Sequence, residues 1–296
     1  MRYRYLLLIA AAVVPWAARA QDAGISRLGV QLHSADPGLR RQAAVALGRV
    51  SLAQSVQLLR RARQEEPNTA IRFEIVRALR NIVFMRYPGY PDAVAALGEA
   101  CDPRLEADEL VRLRALEAMW ETAARDLLEP TTYLTRGLAD PSQRLRLASV
   151  AMLRKYAAPT AVLPLGTAAL DHGQPEAVRK AAIAALGAVP LVDPGPAGEA
   201  TLRANQRVAE ALGTQPIADS ALLQHRQANQ VSYLARLLRD PETEPQLALA
   251  AVRALGQVKH RSAIPILEEV ARGYRNDAVR KQASRALSHV LARQYE

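Results

Sequence analysis

The sequence predicts an all-α fold, an α-α superhelix of stacked helical pairs, and three observations predict it. Half of the 296 residues are apolar while only 4% are aromatic, so a large core has to be built from Leu, Val and Ala. An apolar pattern with helical spacing returns along the chain at intervals mostly in the thirties. Each return is accompanied by a shorter apolar stretch, which makes the repeating unit a pair of helices.

The first segment reads as an address. Met1 to Arg4 carries two arginines, Tyr5 to Val14 is an unbroken apolar run, and Ala18-Arg19-Ala20 places small residues where a signal peptidase cuts. Residues 1–20 are therefore expected to be a secretory signal peptide, with export to a periplasmic or extracellular location. Pro15 interrupts the run, which is too short for the roughly 20 residues that cross a bilayer. No stable membrane span is expected after cleavage, which would lower the formal charge from +10 to +7.

Residues 21–296 are expected to form the repeat. An anchor, usually Arg, is followed by apolar residues three, four, six, seven and ten positions later. Arg40 leads Ala43, Ala44, Ala46, Leu47 and Val50; Arg72 leads Ile75, Val76, Ala78, Leu79 and Ile82. Arg112, Arg146, Arg179, Ala248 and Arg280 head the other instances. Successive anchors lie 32, 40, 34, 33, 69 and 32 residues apart. The interval of 69 is two periods, which predicts a drifted unit there and about eight pairs in all. Offsets of three, four, seven and ten share one face of a helix, and no strand buries that set on one side.

Helix starts carry chemical marks. Asp36-Pro37 and Asp140-Pro141 put a capping carboxylate before a proline whose missing N–H costs nothing in the first turn; Gln174-Pro175 and Glu244-Pro245 are weaker versions. Gly48, Gly187 and Gly256 follow the Leu at offset seven, where a missing side chain lets a neighbouring helix approach or lets the helix end. Leu52–Ala62, Ala93–Ala100, Tyr133–Leu138, Ala161–Leu170, Val231–Leu238 and Ala263–Ala271 supply the first helix of each pair. A pair of this size cannot bury its apolar face alone, so neighbours stack.

These residues resemble a known family. Ala263-Ile264-Pro265-Ile266-Leu267-Glu268-Glu269-Val270 followed by Asp277 to Leu287 is similar to a HEAT repeat of the short variety noted in phycobilisome lyases, as are Asp140 to Val150 and Asp36 to Val50. The resemblance covers about Ala35 to Val290. It implies a HEAT-like helical-repeat solenoid, a binding scaffold with the second helix of each pair on the concave side, and anchor arginines paired with neighbouring caps such as Asp36, Asp140 and Asp277. It is silent on catalysis, because its motif residues are caps and core.

Two stretches break the pattern. Pro190, Pro194, Gly195, Pro196 and Gly198 predict a loop, and Thr201–Leu212 a helix outside the register, so the repeat is irregular around 190–216. Phe84-Met85-Arg86-Tyr87-Pro88-Gly89-Tyr90-Pro91 gathers aromatics and prolines in a connection, either as a cover between pairs or as an exposed corner.

Catalytic signals are missing. The single cysteine, Cys101, excludes an internal disulfide framework and multi-cysteine zinc modules, and on an apolar helix it reads as core. None of His33, His172, His225, His260 and His289 precedes a Glu, as a di-iron HEAT hydroxylase would require, and no HExxH, GxSxG, P-loop or GxGxxG occurs. No catalytic residue, metal ligand or cofactor is assigned. An enzyme subunit or lyase-like activator is the alternative that the family name implies.

Lys and Arg number 39 against 29 Asp and Glu, with only four lysines. Nucleic acid is the third reading. Against it, the arginines recur at the anchor position, which spreads the charge along the stack, and aromatics for base stacking are scarce.

Offsets two, five and nine of the second helices point away from the core. Ala148, Ala151, Ala181, Ala184 and Ala188 would make a smooth floor for a partner helix or peptide, with Lys155, Arg253 and Arg285 beside it. The reading is an exported scaffold that binds another protein or peptide on its concave face.

Overall fold

The computed structural model describes residues 23–50, 52–123, 131–156, 159–189, 230–258 and 261–292, and among these every regular element is helical. Residues 23–31 form α1. The remaining helices are α2 (Pro37–Leu47), α3 (Ala53–Glu65), α4 (Thr69–Phe84), α5 (Tyr90–Ala100), α6 (Glu109–Ala123), α7 (Thr131–Gly137), α8 (Gln143–Tyr156), α9 (Val162–Leu170), α10 (Glu176–Ala188), α11 (Gln230–Arg239), α12 (Pro245–Gln257), α13 (Ala263–Gly273) and α14 (Asp277–Ala292). A 3-10 turn, Pro159–Ala161, precedes α9. The fold class is all-α, of the HEAT-like helical-repeat kind. The expected signal peptide and the irregular segment 190–216, including Thr201–Leu212, lie outside the described residues.

The chain divides into two compact units, residues 1–122 and 123–296. In the first, the even-numbered second helices α2 and α4 lie side by side, and α3 and α5 form the layer behind them. Ala43, Ala44 and Leu47 of α2 and Ile75, Val76, Leu79 and Ile82 of α4 are fully buried, which are the offsets of the apolar pattern. Each Leu or Ile removed from water contributes roughly 1.5–3 kcal/mol, so the pattern itself supplies the stacking free energy.

In the second unit α8, α10, α12 and α14 follow one another in one layer, with α9, α11 and α13 behind. Here the expectation of a drifted unit between Arg179 and Ala248 is corrected. α10 packs directly on α12, and α9 on α11, so no repeat separates them and the 69-residue interval is one period with an insertion. Seven helical pairs follow one another along the chain among the described residues.

Close approach explains the glycines. A Cβ added at Gly48 would lie 2.7 Å from Ala78 Cα, one at Gly187 2.8 Å from Ala254 Cα, and one at Gly256 3.1 Å from Ala286 Cβ. In each case a glycine at offset eight meets an alanine at offset six of the next repeat, so small residues bring the two second helices together.

Capping follows the sequence in part. Asp36 accepts from the Gly38 amide at 2.7 Å, ahead of Pro37. Asp140 is displaced from the expected role: α8 begins at Gln143, Asp140 accepts from the Ser142 amide, and Ser142 Oγ accepts from Leu145 N at 3.4 Å. Glu244 makes no side-chain cap bond, and Gln174 reaches instead to the Leu138 carbonyl. Asn68, Asp108 and Asn276 cap α4, α6 and α14. The apolar pattern weakens on α14, where Ser284 is exposed and Leu287 half-buried, because no described helix covers that face.

Candidate functional site: the second-helix faces

Most anchor arginines serve the fold. Arg40 donates to the Ser34 and Ala35 carbonyls, Arg72 to those of Glu66 and Pro67, Arg112 to those of Glu106 and Ala107, and Arg280 to that of Tyr274. The guanidinium thus holds the turn that leads into its own helix. For Arg40 and Arg72 the partner in the next repeat is a glutamate of the turn before that repeat's second helix, where a cap such as Asp36 or Asp277 was expected. Arg40 forms a two-pronged pair with Glu66 at 2.8 and 3.1 Å, and Arg72 meets Glu106 at 3.2 Å. The Glu66 carboxylate raises the Arg40 guanidinium above its ordinary value. Asp36 caps its helix instead, and Asp277 pairs within its own helix with Arg280 and Lys281.

The expected floor can be placed residue by residue. On α8, Ala148 is half-buried while Ala151 and Lys155 are exposed. On α10, Ala181 and Ala184 are half-buried and Ala188 is exposed; Arg253 of α12 and Arg285 of α14 are exposed. The four helices are successive members of one layer. Offset two is not uniformly outward, however. Ala250 and Glu74 are buried at that position, because it lies on the flank that meets a neighbouring second helix.

A site that the alanine pattern did not single out stands in the first unit. A cavity of about 430 Å³ is lined by Arg41, Val45, Arg49, Glu74, Arg77, Arg80, Asn81 and Arg114, with Gly48 and Ala78 at its base. All belong to α2, α4 and α6 or to the residues that end α2. Glu74 is 8% exposed and is held between Arg41, at 3.0 Å, and Arg77, at 2.9 Å. Glu121 takes Arg80 and Arg114, and Glu117 also meets Arg114 at 3.2 Å. Asn81 Nδ2 donates to the Gly48 carbonyl at 2.6 Å, tying α4 to the end of α2. The even spread of arginine charge expected from the anchors is therefore corrected here. These arginines are not anchors; they sit at offsets one, two, five, eight and nine, which face the cavity.

Cys101 is buried at the end of α5. His33 lies 3.6 Å from Glu65, and His172 3.1 Å from Asp240. No group of three or more His, Cys, Asp or Glu side chains among the described residues is arranged to hold a metal ion. None of the described helices is long and apolar enough to cross a membrane. At the expected corner, Gly89 takes a left-handed φ of 85° and packs against Ala53, while Met85 and Tyr90 stay exposed and the Arg80 guanidinium lies 4.7 Å from the Phe84 ring centre.

These features define an all-α fold of stacked helical pairs with a HEAT-like repeat. Residues 25–120 match the family of HEAT repeats. The chain is also similar to human deoxyhypusine hydroxylase, solved in complex with glycerol, at 18% sequence identity and a TM-score of 0.38 over 94% of this chain and 99% of that one. Nothing about activity is carried over from that likeness. No curated protein matches the chain.

Proposed function

We propose that this chain is a non-catalytic protein-binding scaffold, exported to the periplasm or the extracellular space, whose second helices form the docking face. The observation that supports it most is the cavity of about 430 Å³ lined from three successive second helices. Its arginine side chains belong neither to the apolar core nor to a helix cap, and cavities of this size fall in the range that takes up ligand groups. In residues 123–296 the docking face runs over Ala148, Ala151, Lys155, Ala181, Ala184 and Ala188, with Arg253 and Arg285 on the following helices.

Two experiments test the reading. Affinity capture from the envelope fraction of the source cells, with cross-linking and mass spectrometry, is expected to yield one saturable protein partner. Ala184→Arg should abolish that capture and leave the melting temperature nearly unchanged, since a half-buried helix position with its side chain at the surface costs under about 1 kcal/mol on substitution. Unaltered capture by this variant removes the α8–α10 face from the proposal. Export is read from the intact mass of the secreted protein, which should begin at Gln21; full-length protein confined to the cytosol overturns it.

A further inference from the structure

We propose that the arginine-lined cavity of α2, α4 and α6 binds an extended acidic peptide segment, and that Arg49 is its principal reading residue. The inference rests on the scaffold reading and names the chemistry of one partner segment. Arg41, Arg77, Arg80 and Arg114 meet three carboxylates, those of Glu74, Glu117 and Glu121, and Arg49 adds a fifth guanidinium to the lining, which leaves the site net positive.

The carboxylates have a defined task there. Glu74 is buried and fixes Arg41 and Arg77 by their Nη atoms; Glu121 fixes Arg80 and Arg114. Each of these arginines has further N–H donors, since a guanidinium carries five in a planar fork. Side chains already held in place lose less freedom when a second carboxylate arrives. Arg49 is different. It is exposed and has no hydrogen bond or ion pair among the described residues, so its whole fork is available for a two-pronged carboxylate contact.

Size and spacing favour a peptide strand. Packed helices lie roughly 8–10 Å apart, so arginines spread over three successive helices cover about 16–20 Å. An extended chain rises about 3.3 Å per residue, which makes this the length of five or six residues with carboxylates on alternate positions. A nucleic-acid strand fits the same surface less well. No aromatic side chain lines the cavity for stacking, and Glu74 and Glu121 would oppose phosphates spaced at every nucleotide.

The test uses the purified full chain and fluorescence anisotropy. The probes are a fluorescein-labelled octapeptide of alternating glutamate and alanine, its glutamine–alanine counterpart, and a labelled thymidine octanucleotide. The acidic peptide is expected to bind at least tenfold more tightly than the glutamine peptide and than the oligonucleotide, and to weaken as salt rises. Arg49→Glu should lower its affinity at least tenfold and Arg49→Lys by a smaller factor, both without a change in melting temperature, whereas Arg253→Glu should leave it unchanged. Equal binding of the two peptides, no binding of the acidic one, tighter binding of the oligonucleotide, or an Arg49→Glu variant that binds as the wild type does would each overturn the inference. The scaffold reading is read out separately, by the effect of Ala184→Arg on partner capture, and stands or falls independently of these outcomes.

Discussion

Residues 1–122 and 123–296 use one repeat pattern and clothe it differently. In the first unit the turns before α4 and α6 carry a glutamate six positions ahead of the anchor, Glu66 before Arg72 and Glu106 before Arg112, and each takes the arginine of the preceding repeat. In the second unit the corresponding positions are Asp140, Gly173, Glu242 and Tyr274; Arg179 donates to the Ala169 carbonyl, and Arg280 to that of Tyr274 and to Asp277. Where Ala248 replaces the anchor altogether, Arg275 of the next repeat reaches back to the Pro241 and Thr243 carbonyls. The guanidinium that holds a turn can thus come from either side. The exposed faces diverge in the same way, charged on α2, α4 and α6 and rich in alanine on α8 and α10.

The largest expected effects come from breaking each unit by its own chemistry. In the first, Arg63 has a fully buried side chain whose one close partner is Glu106, at 3.3 Å; its Nε and Nη2 find no hydrogen bond, and Glu99 lies 3.9 Å from Nη2. Glu106→Leu would leave Arg63 buried and largely uncompensated and take the inter-repeat partner from Arg72. It should cost about 3–5 kcal/mol. In the second unit the equivalent break is apolar. Leu186 is fully buried on α10 beside Ala182 and Ile183, and Leu186→Asp should cost a similar amount, roughly 3–5 kcal/mol. Chemical denaturation followed by far-ultraviolet circular dichroism checks both; a loss under 1 kcal/mol for Glu106→Leu would show that the Arg–Glu ladder is dispensable.

A smaller effect should be common to both units. Gly48→Ala and Gly187→Ala push a methyl group against the backbone of Ala78 and Ala254, which cannot swing aside as a side chain end would. Each is expected to cost about 1–3 kcal/mol as an overpacked contact. Gly256→Ala meets only the Ala286 methyl at 3.1 Å and gains up to about 1 kcal/mol of helix propensity, so its net change should be near zero. Equal losses at all three positions would mean that helix approach is not what selects glycine.

Much of this was legible in the sequence. Offsets three, four and seven named the buried face of α2, α4 and α10, and glycine at offset eight named the close approach, because both depend on helix geometry alone. The insertion was misread because anchor spacing measures residues along the chain, and only packing of α10 on α12 shows that 69 residues span one step. The arginine cavity was half visible. Arg49, Glu74, Arg77, Asn81, Arg114, Glu117 and Glu121 fall at the outward offsets two, five and nine, but Arg41 and Arg80, at offsets one and eight, join them only when neighbouring helices are side by side. Which glutamate holds which arginine is a relation between repeats, and no periodicity within one repeat encodes it.

The smallest predicted effect concerns acid, and it separates exposed pairs from buried ones. Three exposed carboxylates are held below their ordinary range: Glu65 by its hydrogen bond from Arg61, Glu269 by Arg239, and Asp277 by Lys281 with help from Arg280. A carboxylate depressed in the folded state adds stability at pH values above its unfolded pKa, and that contribution is lost as pH falls through the lower folded value. The melting temperature should therefore stay flat from neutral pH down to the usual carboxylate range and then decline gradually. Because all three pairs lie in water, raising salt to about 1 M at neutral pH should shift the melting temperature only slightly. Glu269→Gln should flatten the acid limb a little without altering the neutral value by more than the measurement error. A steep loss of structure above pH 5 would contradict this.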